Sequence, residues 1–440
     1  MAFVHNTKVE KFSIQSDTFS VSNTTGSIIP TSIKFYENIL STHLVCEVVI
    51  FDKEGIITKL PVVGGEQVKF KVNISPYGTL DFSTDSNCFY VQNISVLQES
   101  RAQVAVLRLV SREALSDHTA RVVKRYDSIS KAVDGIIKEV LASNKNIDIE
   151  EEIFNNEYTF LGNSKKPLET LQWLATKAVP TTKSSSKGSK EGKTAGFVFF
   201  ENQSGYNFKS IDGLLSRTVK PSSADLKQIS VYYERGSTKP SDSNYLSNIL
   251  SYVVQKNNDV VESLRAGMYS NISHFFDIYD LKYEPITLKL TELYGKEMKT
   301  TSESKKAPKL PFDLQNYPSR LFVKLNDRGI LKKDGKLGDS TNLAKYQAQA
   351  AIRNNLIYSQ KVLVKIPCNP LLKAGDLINC NFAKSTTNRN NASFDETISG
   401  IYLISALQHD FSEYSDNVSY THLELIRDSY GVASSNEKIS

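Results

Sequence analysis

The sequence predicts a mainly β protein with α+β insertions, built around two antiparallel β units, and three observations carry that expectation. In Gln67 to Asn73, Val68, Phe70 and Val72 alternate with Lys69 and Lys71, the pattern of a strand with one buried and one solvated face. The composition holds 21 Tyr and 21 Phe against one Trp and three Met, which with Val, Ile and Thr favours strands. Two distant stretches also resemble each other. At an offset of 310, Gly65 falls on Gly375, Glu66 on Asp376, Val68 on Ile378, Ile94 on Ile404, Ser95 on Ser405, Leu97 on Leu407 and Gln98 on Gln408.

The first β unit spans residues 1–115, with strands expected at Ser32 to Tyr36, His43 to Phe51, Gln67 to Asn73, Phe89 to Leu97 and Val104 to Ser111. From Asp127 the period changes. Ile129, Ala132, Val133, Ile136, Ile137, Val140 and Leu141 follow helical spacing, and Asp127 or Ser128 can cap the start. A second helix is expected to begin near Pro167, to carry Leu168, Leu171, Trp173 and Leu174, and to stop before Pro180. Residues 181–194 are too polar and Ser/Lys-rich to pack a core, so a mobile loop is expected there. Gly196 to Glu201 and Tyr206 to Ser210 read as a strand pair across a turn at Asn202 to Gly205, which completes a small α+β domain over 116–212.

The second β-barrel region is assigned to 213–290 and 358–430. Its expected strands are Ile249 to Val254, Ser273 to Asp280, Ile286 to Leu290, Lys361 to Ile366, Leu377 to Phe382, Ile401 to Leu407 and Tyr420 to Ile426. Between them, 291–357 reads as an insertion, with a Lys/Ser/Thr/Pro-rich stretch at Lys296 to Pro311 and a helix at Leu343 to Leu356. Residues 431–440 read as a flexible tail.

The repeat extends beyond its glycine. Pro61-Val62-Val63 precedes Gly65 much as Pro370-Leu371-Leu372 precedes Gly375. Leu107-Arg108-Leu109-Val110 matches Leu423-Glu424-Leu425-Ile426 after a hairpin six residues longer. Length changes confined to turns are what a shared fold predicts. Two alike units per chain, arranged as a trimer, would set six around one axis and could bridge threefold and sixfold assemblies.

Composition narrows the chemistry. Lys plus Arg number 53 and Asp plus Glu 48, a net charge of +5 over 440 residues, which is not the dense basic footprint of a nucleic-acid binder. No run of about 18 apolar residues occurs and the first residues lack a secretory pattern, so neither stable membrane insertion nor export by a cleaved signal is expected. Cys46, Cys88, Cys368 and Cys380 are too sparse for a disulfide framework and form no C-x-x-C pair, which fits folding in a reducing compartment.

Gly188 to Thr194 approaches a phosphate-binding loop but has Lys187 where the first glycine would stand. Cys368, Cys380, His409 and His422 match no short zinc spacing, and Cys380 falls on the apolar phase of Phe70 in the repeat. Glu150-Glu151-Glu152 reads as solvated surface. No hydrolase elbow or metalloprotease helix occurs, and the six histidines are scattered. No catalytic, cofactor-binding or metal residue is therefore assigned, no cofactor is expected, and partner-binding residues are not identified.

Leu171-Gln172-Trp173-Leu174-Ala175, followed by Gly196 to Glu201 and Gly205 to Ser210, resembles the baseplate hub proteins of contractile-tailed, T-even-like phages. These are related to late-control tail proteins and to the N-terminal part of type VI secretion spike proteins. Pro370 to Asp376, Gly400 to Ala406 and Tyr420 to Leu425 resemble the same family's strands. The resemblance implies two tube-type antiparallel β-barrels per chain and a homotrimeric ring, with a central spike protein beneath and the tail tube or a tube-initiator protein above. Other baseplate proteins are candidate neighbours.

The expected function is a structural virion protein of the tail baseplate, assembled in the bacterial host cytoplasm, that joins tube to spike and forms part of the conduit for transient passage of DNA. It is expected not to be an enzyme. No spike-type OB-fold or lysozyme portion is expected after residue 430, so those activities are expected in partners. The alternatives are a peptidoglycan-acting tail enzyme, which needs a carboxylate pair in a cleft, and a glycan-binding tail adhesin acting on host surfaces.

Overall fold

The computed structural model describes residues 6–23, 28–52, 55, 57, 62–98, 103–150, 158–179, 194–216, 230–233, 247–294, 298–301, 308–311, 313–332, 334–337, 343–384, 394–412 and 419–429. The loop expected at 181–194, apart from Thr194, and the tail at 431–440 lie outside the described residues.

The first β unit contains β1 (Asn6–Gln15), β2 (Ser20–Ser22), β3 (Ile28–Asn38), β4 (Val45–Asp52), β5 (Gln67–Ser75), β6 (Gly78–Phe82), β7 (Phe89–Gln98) and β8 (Gln103–Ser111). They run in the order β3-β4-β8-β7-β5-β1-β2, with β6 on β5, and every pairing is antiparallel. The alternation seen in the sequence has the expected effect on β5. Val68, Phe70, Val72 and Ile74 are wholly buried, while Lys71 reaches Glu10 at 3.2 Å on the other face. Phe35, Phe70, Phe82 and Phe89 form the aromatic centre of the core, with Phe82 and Phe89 5.0 Å apart edge to face. β1 is a strand the sequence reading did not identify. A bulge between Val9 and Lys11 shifts the phase, so buried Val9 and buried Phe12 fall out of simple alternation.

A helix, Arg112–Thr119, leaves β8 and opens the α+β region. This region holds β9 (Arg125–Tyr126), β10 (Ile147–Ile149), β11 (Phe160–Leu161), β12 (Phe197–Asn202) and β13 (Gly205–Ser210). Ser128, one of the two expected caps, accepts from Lys131 N at the start of the helix Ile129–Gly135. The helix then widens into a π turn, Ile136–Val140. That extra residue per turn leaves Val140 half-buried, although Ile136, Ile137 and Leu141 keep their places in the core. The helix Pro167–Lys177 buries Leu168, Leu171 and Leu174 against the same cluster. The β12–β13 hairpin turns where expected, and Gly205 is required there. Its φ is +120°, and a Cβ would sit 2.3 Å from the Asn146 carbonyl oxygen.

The remaining strands are β14 (Ser230–Tyr233), β15 (Ser251–Asn257), β16 (Ser270–Asp277), β17 (Lys282–Lys289), β18 (Arg320–Leu325), β19 (Gln360–Pro367), β20 (Leu377–Phe382), β21 (Gly400–Ser412) and β22 (Tyr420–Arg427). β15-β19-β22-β21 form a run, extended by β20 and β14. β16 and β17, which the sequence reading groups with the second β unit, do not join it. They pair with β18, from the stretch read as an insertion, in a separate sheet ordered β17-β16-β18. The helix Leu343–Leu356 packs there through Ala348 and Ile352 against Phe275 and Leu288. Because β15 pairs directly with β19, this body is an excursion from one hairpin, whose counterpart in the first unit is the short β3–β4 connection.

The repeat is present with a corrected alignment. Gly65 N donates to Val91 O at 2.8 Å, as Gly375 N donates to Ile404 O at 2.9 Å, and Val91 N and Ile404 N donate back to Glu66 O and Asp376 O. Ile404 therefore corresponds to Val91, not Ile94, and the offset is 310 at the glycine and 313 on the following strand. Both strands bulge at the next step, at Gln92 and at Ser405. Leu109 opposite Val91 then matches Leu425 opposite Ile404, an offset of 316, so the hairpin is three residues longer rather than six. The sequence comparison placed the whole length change in one hairpin, whereas it is split between two.

Candidate assembly interface

The two units share one 14-stranded sheet, because β21 uses its edge twice. β22 pairs along one side. On the other side, Gly400 to Leu403 pair with β20, and Ala406 to Ser412 pair antiparallel with β3 of the first unit. The seam sets His409 opposite Phe35 and Asp410 opposite Lys34. The order β15-β19-β22-β21 is thus followed by β3-β4-β8-β7, the same succession twice.

Two edges remain. β5 covers only Phe89 and Tyr90 of β7, and among the described residues no strand pairs with that edge beyond Val91 or with the outer edge of β15. Both carry exposed apolar side chains: Val96 is 48% and Leu97 62% exposed, and Val253 is 60% and Val254 37% exposed. The sequence reading placed Leu97 in the repeat and marked none of these residues as an edge. Their signal was the break in alternation, two adjacent apolar residues on a strand that otherwise has only one buried face.

The sheet face away from the cores is charged in both signs. Lys34 stands 3.9 Å from Glu47 and Lys361 2.7 Å from Glu424. A groove of about 420 Å³ crosses it beside the seam, lined by Tyr36, Tyr252, Lys365, Gln408 and His422 among others.

Buried ionic groups fasten the other bodies to this sheet. Lys145 Nζ lies 2.6 Å from Glu201 and 2.7 Å from Glu113, and Glu201 also accepts from Ser111 Oγ and Leu44 N. Burial pushes the Glu201 carboxyl up while Lys145 draws it down, and the two carboxylates hold the Lys145 ammonium above its ordinary value against its own burial. Arg353, with no exposed side-chain surface, bridges Asp212 at 2.8 Å and Asp428 at 3.1 Å and donates to Lys299 O. It ties the excursion to the α+β region and to the end of β22. Near the seam, Glu37 is buried and accepts from Gln203 N at 2.6 Å and Ala374 N at 2.7 Å, and burial pushes its carboxyl up to about 8.

The residues weighed for metal chemistry separate. Cys368, a member of the first core, and His409 do meet, Sγ 4.0 Å from Nδ1, and burial pushes the thiol up to about 12 and the imidazole down to about 4. Cys380 belongs to the second core and His422 to the groove. Among the described residues no group of three or more His, Cys, Asp or Glu could hold a metal ion. Residues 188–193 of the phosphate-loop-like segment are outside the described residues, and Thr194 donates to Asp212 through both N and Oγ1. Glu150, read as solvated surface, is half-buried and accepts from Ser210 N at 2.7 Å and from its hydroxyl; Glu151 and Glu152 are outside the described residues. No described helix is long and apolar enough to cross a membrane.

No protein-family model and no curated protein matches the sequence. Among solved structures, the 43 kDa tail protein of prophage MuSo2 from Shewanella oneidensis is similar at a TM-score of 0.54, with 8% identity over 95% of this chain and 98% of that one. The tail protein from Neisseria meningitidis MC58 is similar at 0.55, with 8% identity over 95% and 96%. At that identity the likeness is one of fold. The chain has the mainly antiparallel β fold of these tail proteins, in agreement with the expected fold class.

Proposed function

We propose, taking the tail-protein fold as the premise, that this chain is a baseplate hub. It assembles as a homotrimer that binds a trimeric spike on one face and a tail tube or tube-initiator protein on the other. The observation that carries the proposal is the doubled strand order, β15-β19-β22-β21 and β3-β4-β8-β7, joined edge to edge within one chain. A threefold ring of such chains repeats one surface six times, and this is the symmetry match a hub must make.

On this reading each half closes as a tube-type barrel. The α+β region decorates the first half, and the excursion between β15 and β19 decorates the second. The mixed-sign sheet face suits a conduit, because a surface that neutralises few phosphates lets DNA pass without gripping it. The chain acts in the virion baseplate as a structural part, not as an enzyme.

Mass measurement of the chain alone and mixed with its spike and tube neighbours tests this. Trimers, strengthened by a symmetric partner, are expected. Monomers in every mixture, with no ring in electron micrographs, would overturn it.

A further inference from the structure

We infer that the apolar outer face of the β17-β16-β18 sheet is where the ring receives the trimeric spike, which meets it at three equivalent places with an apolar surface of its own. This deepens the hub reading and rests on it.

The sheet has two unlike faces. Paired residues on neighbouring strands share a face, and Phe275 and Leu288 turn one face toward the helix Leu343–Leu356. On the other face Val323 lies beside His274, and Phe276 lies between Leu325 and Tyr283. Leu321, Val323 and Leu325 are each more than half exposed, and Phe276 and Tyr283 are exposed with them. Between the registers of Ile272 and Phe276 the three strands place no Asp, Glu, Lys or Arg on this face. The turn after β16 adds Ile278 and Leu281 at one end of the sheet, with Leu281 89% exposed. The aromatic residues are already ordered: the Tyr283 ring stacks on His274 at 5.6 Å and lies 5.1 Å from Phe276, and its hydroxyl is hydrogen-bonded to His274 Nδ1. Rigid aromatic side chains in an uncharged apolar setting are the usual anchors of a protein interface.

Area and symmetry select the occupant. Three strands about 4.8 Å apart, over five residues of about 3.3 Å each, make a face of roughly 250 Å². Pressed against the same face of a second copy it would bury about 500 Å² in total, well short of the roughly 1,200 Å² of a stable pair. A partner that engages three such faces at once reaches about 1,500 Å² and gains avidity as well. The excursion occurs once per chain, with only the short β3–β4 connection as its counterpart in the first half, so a ring of three carries this face three times. Its occupant is thus the threefold partner and not the sixfold tube.

Avidity also demands a fixed mount. Arg353 fastens the excursion at one point. At another, Asp327, two residues past β18, lies 2.9 Å from Lys177 Nζ and accepts from the Tyr158 hydroxyl at 2.9 Å, both from the α+β region.

The test uses the full chain, alone, with the spike neighbour and with the tube neighbour. All four native cysteines are buried, so Val323→Cys provides one reactive exposed thiol. Its labelling by a maleimide dye should slow at least tenfold in the spike complex and stay unchanged with the tube protein. The triple variant Leu321→Thr/Val323→Thr/Leu325→Thr keeps strand-forming residues at exposed positions. It should leave thermal unfolding, trimer formation and tube binding unchanged while weakening spike binding at least a hundredfold. Leu161→Thr, an exposed apolar position in the α+β region, should bind the spike like the wild type. A spike complex that labels at the free rate would overturn this docking face and leave the hub reading intact. Protection by the tube protein, or protection in the chain alone that grows with its concentration, would assign the face to another occupant and overturn the inference too. Monomers in every mixture, with no spike complex at all, would remove the hub reading itself.

Discussion

His409 lies directly across the seam from Phe35, the two rings 6.1 Å apart and 4° from parallel. The imidazole is fully buried, and its Nδ1 lies 2.9 Å from Thr421 Oγ1. Two positions along β3, Glu37 is buried as well, held by backbone N–H groups from the β12–β13 turn and from the segment before Gly375. A neutral-favouring base and a neutral-favouring acid thus stand side by side where the two halves join.

Their titrations oppose each other, and the opposition sets a pH profile. His409 is held down at about 4 against an ordinary 6.5 by burial, so its contribution is complete above 6.5 and is lost as pH falls toward 4. Glu37 is pushed up to about 8 from 4.5 by burial, so its contribution is complete below 4.5 and is lost as pH rises through 8. Between 4.5 and 6.5 the two slopes offset each other. Stability from these groups should be flat there and decline on either side, by up to about 1.4 kcal/mol per pH unit. Denaturant titrations of the wild type and Glu37→Gln from pH 6.5 to 8.5 check this: the variant should lose most of the alkaline decline, and equal slopes would clear Glu37 of the effect.

Val68→Asp and Ile378→Asp should each destabilise the chain by several kcal/mol. The two residues are equivalent in the repeat, because Val68 lies opposite Phe89 as Ile378 lies opposite Tyr402, and neither has exposed surface. Each substitution buries a carboxyl with no partner provided. Thermal unfolding is the measurement, and a Val68→Asp variant that melts with the wild type would contradict the strand phase.

What the sequence made legible follows from period. β5 was visible because its burial alternates, and the helix Leu343–Leu356 because of its Ala and Gln content. Bulges hid the rest. The irregularity at Val9 to Lys11 masked β1, the π turn after Gly135 displaced Val140, and paired bulges with a divided length change misplaced Ile404 by three residues. Strand partnership is another matter, since nothing local distinguishes β16 from a strand of the larger sheet. The interface edges were illegible for the same reason: Val96 and Val254 look like core residues until the neighbouring strand proves to be absent from the described chain.

Gly65 and Gly375 make the same turn, with φ of +90° and +88°, but they should respond differently to a methyl group. At Gly65 a Cβ meets nothing within 4 Å, so Gly65→Ala carries only backbone strain of about 1–2 kcal/mol. At Gly375 a Cβ would lie 2.9 Å from the buried Phe200 ring, so Gly375→Ala adds a packing clash of about 1–3 kcal/mol. Denaturation midpoints of the two variants should therefore differ clearly, with Gly375→Ala the weaker. Equal losses would mean that the ring moves aside at little cost, and that the turn alone matters.

Arg353 should be the most sensitive side chain outside the apolar cores, because two buried carboxylates and the half-buried Lys299 carbonyl depend on it. Replacing it with Met leaves Asp212 and Asp428 buried beside each other's network without their cation, and breaking a buried pair from one side typically costs about 3–5 kcal/mol. Asp212 keeps its bonds from Thr194, and Asp428 its bond from Thr301, so part of each carboxylate's solvation survives. The ion network as a whole need not be worth much, since removing all the charges together also removes the desolvation penalty. Arg353→Met alone should thus be far less stable than Arg353→Met combined with Asp212→Asn and Asp428→Asn, whose amides can still accept from the two threonines. Urea denaturation of the single and triple variants decides the matter. A triple variant no more stable than the single one would show that Arg353 acts through packing volume and its bond to Lys299 O, not through charge.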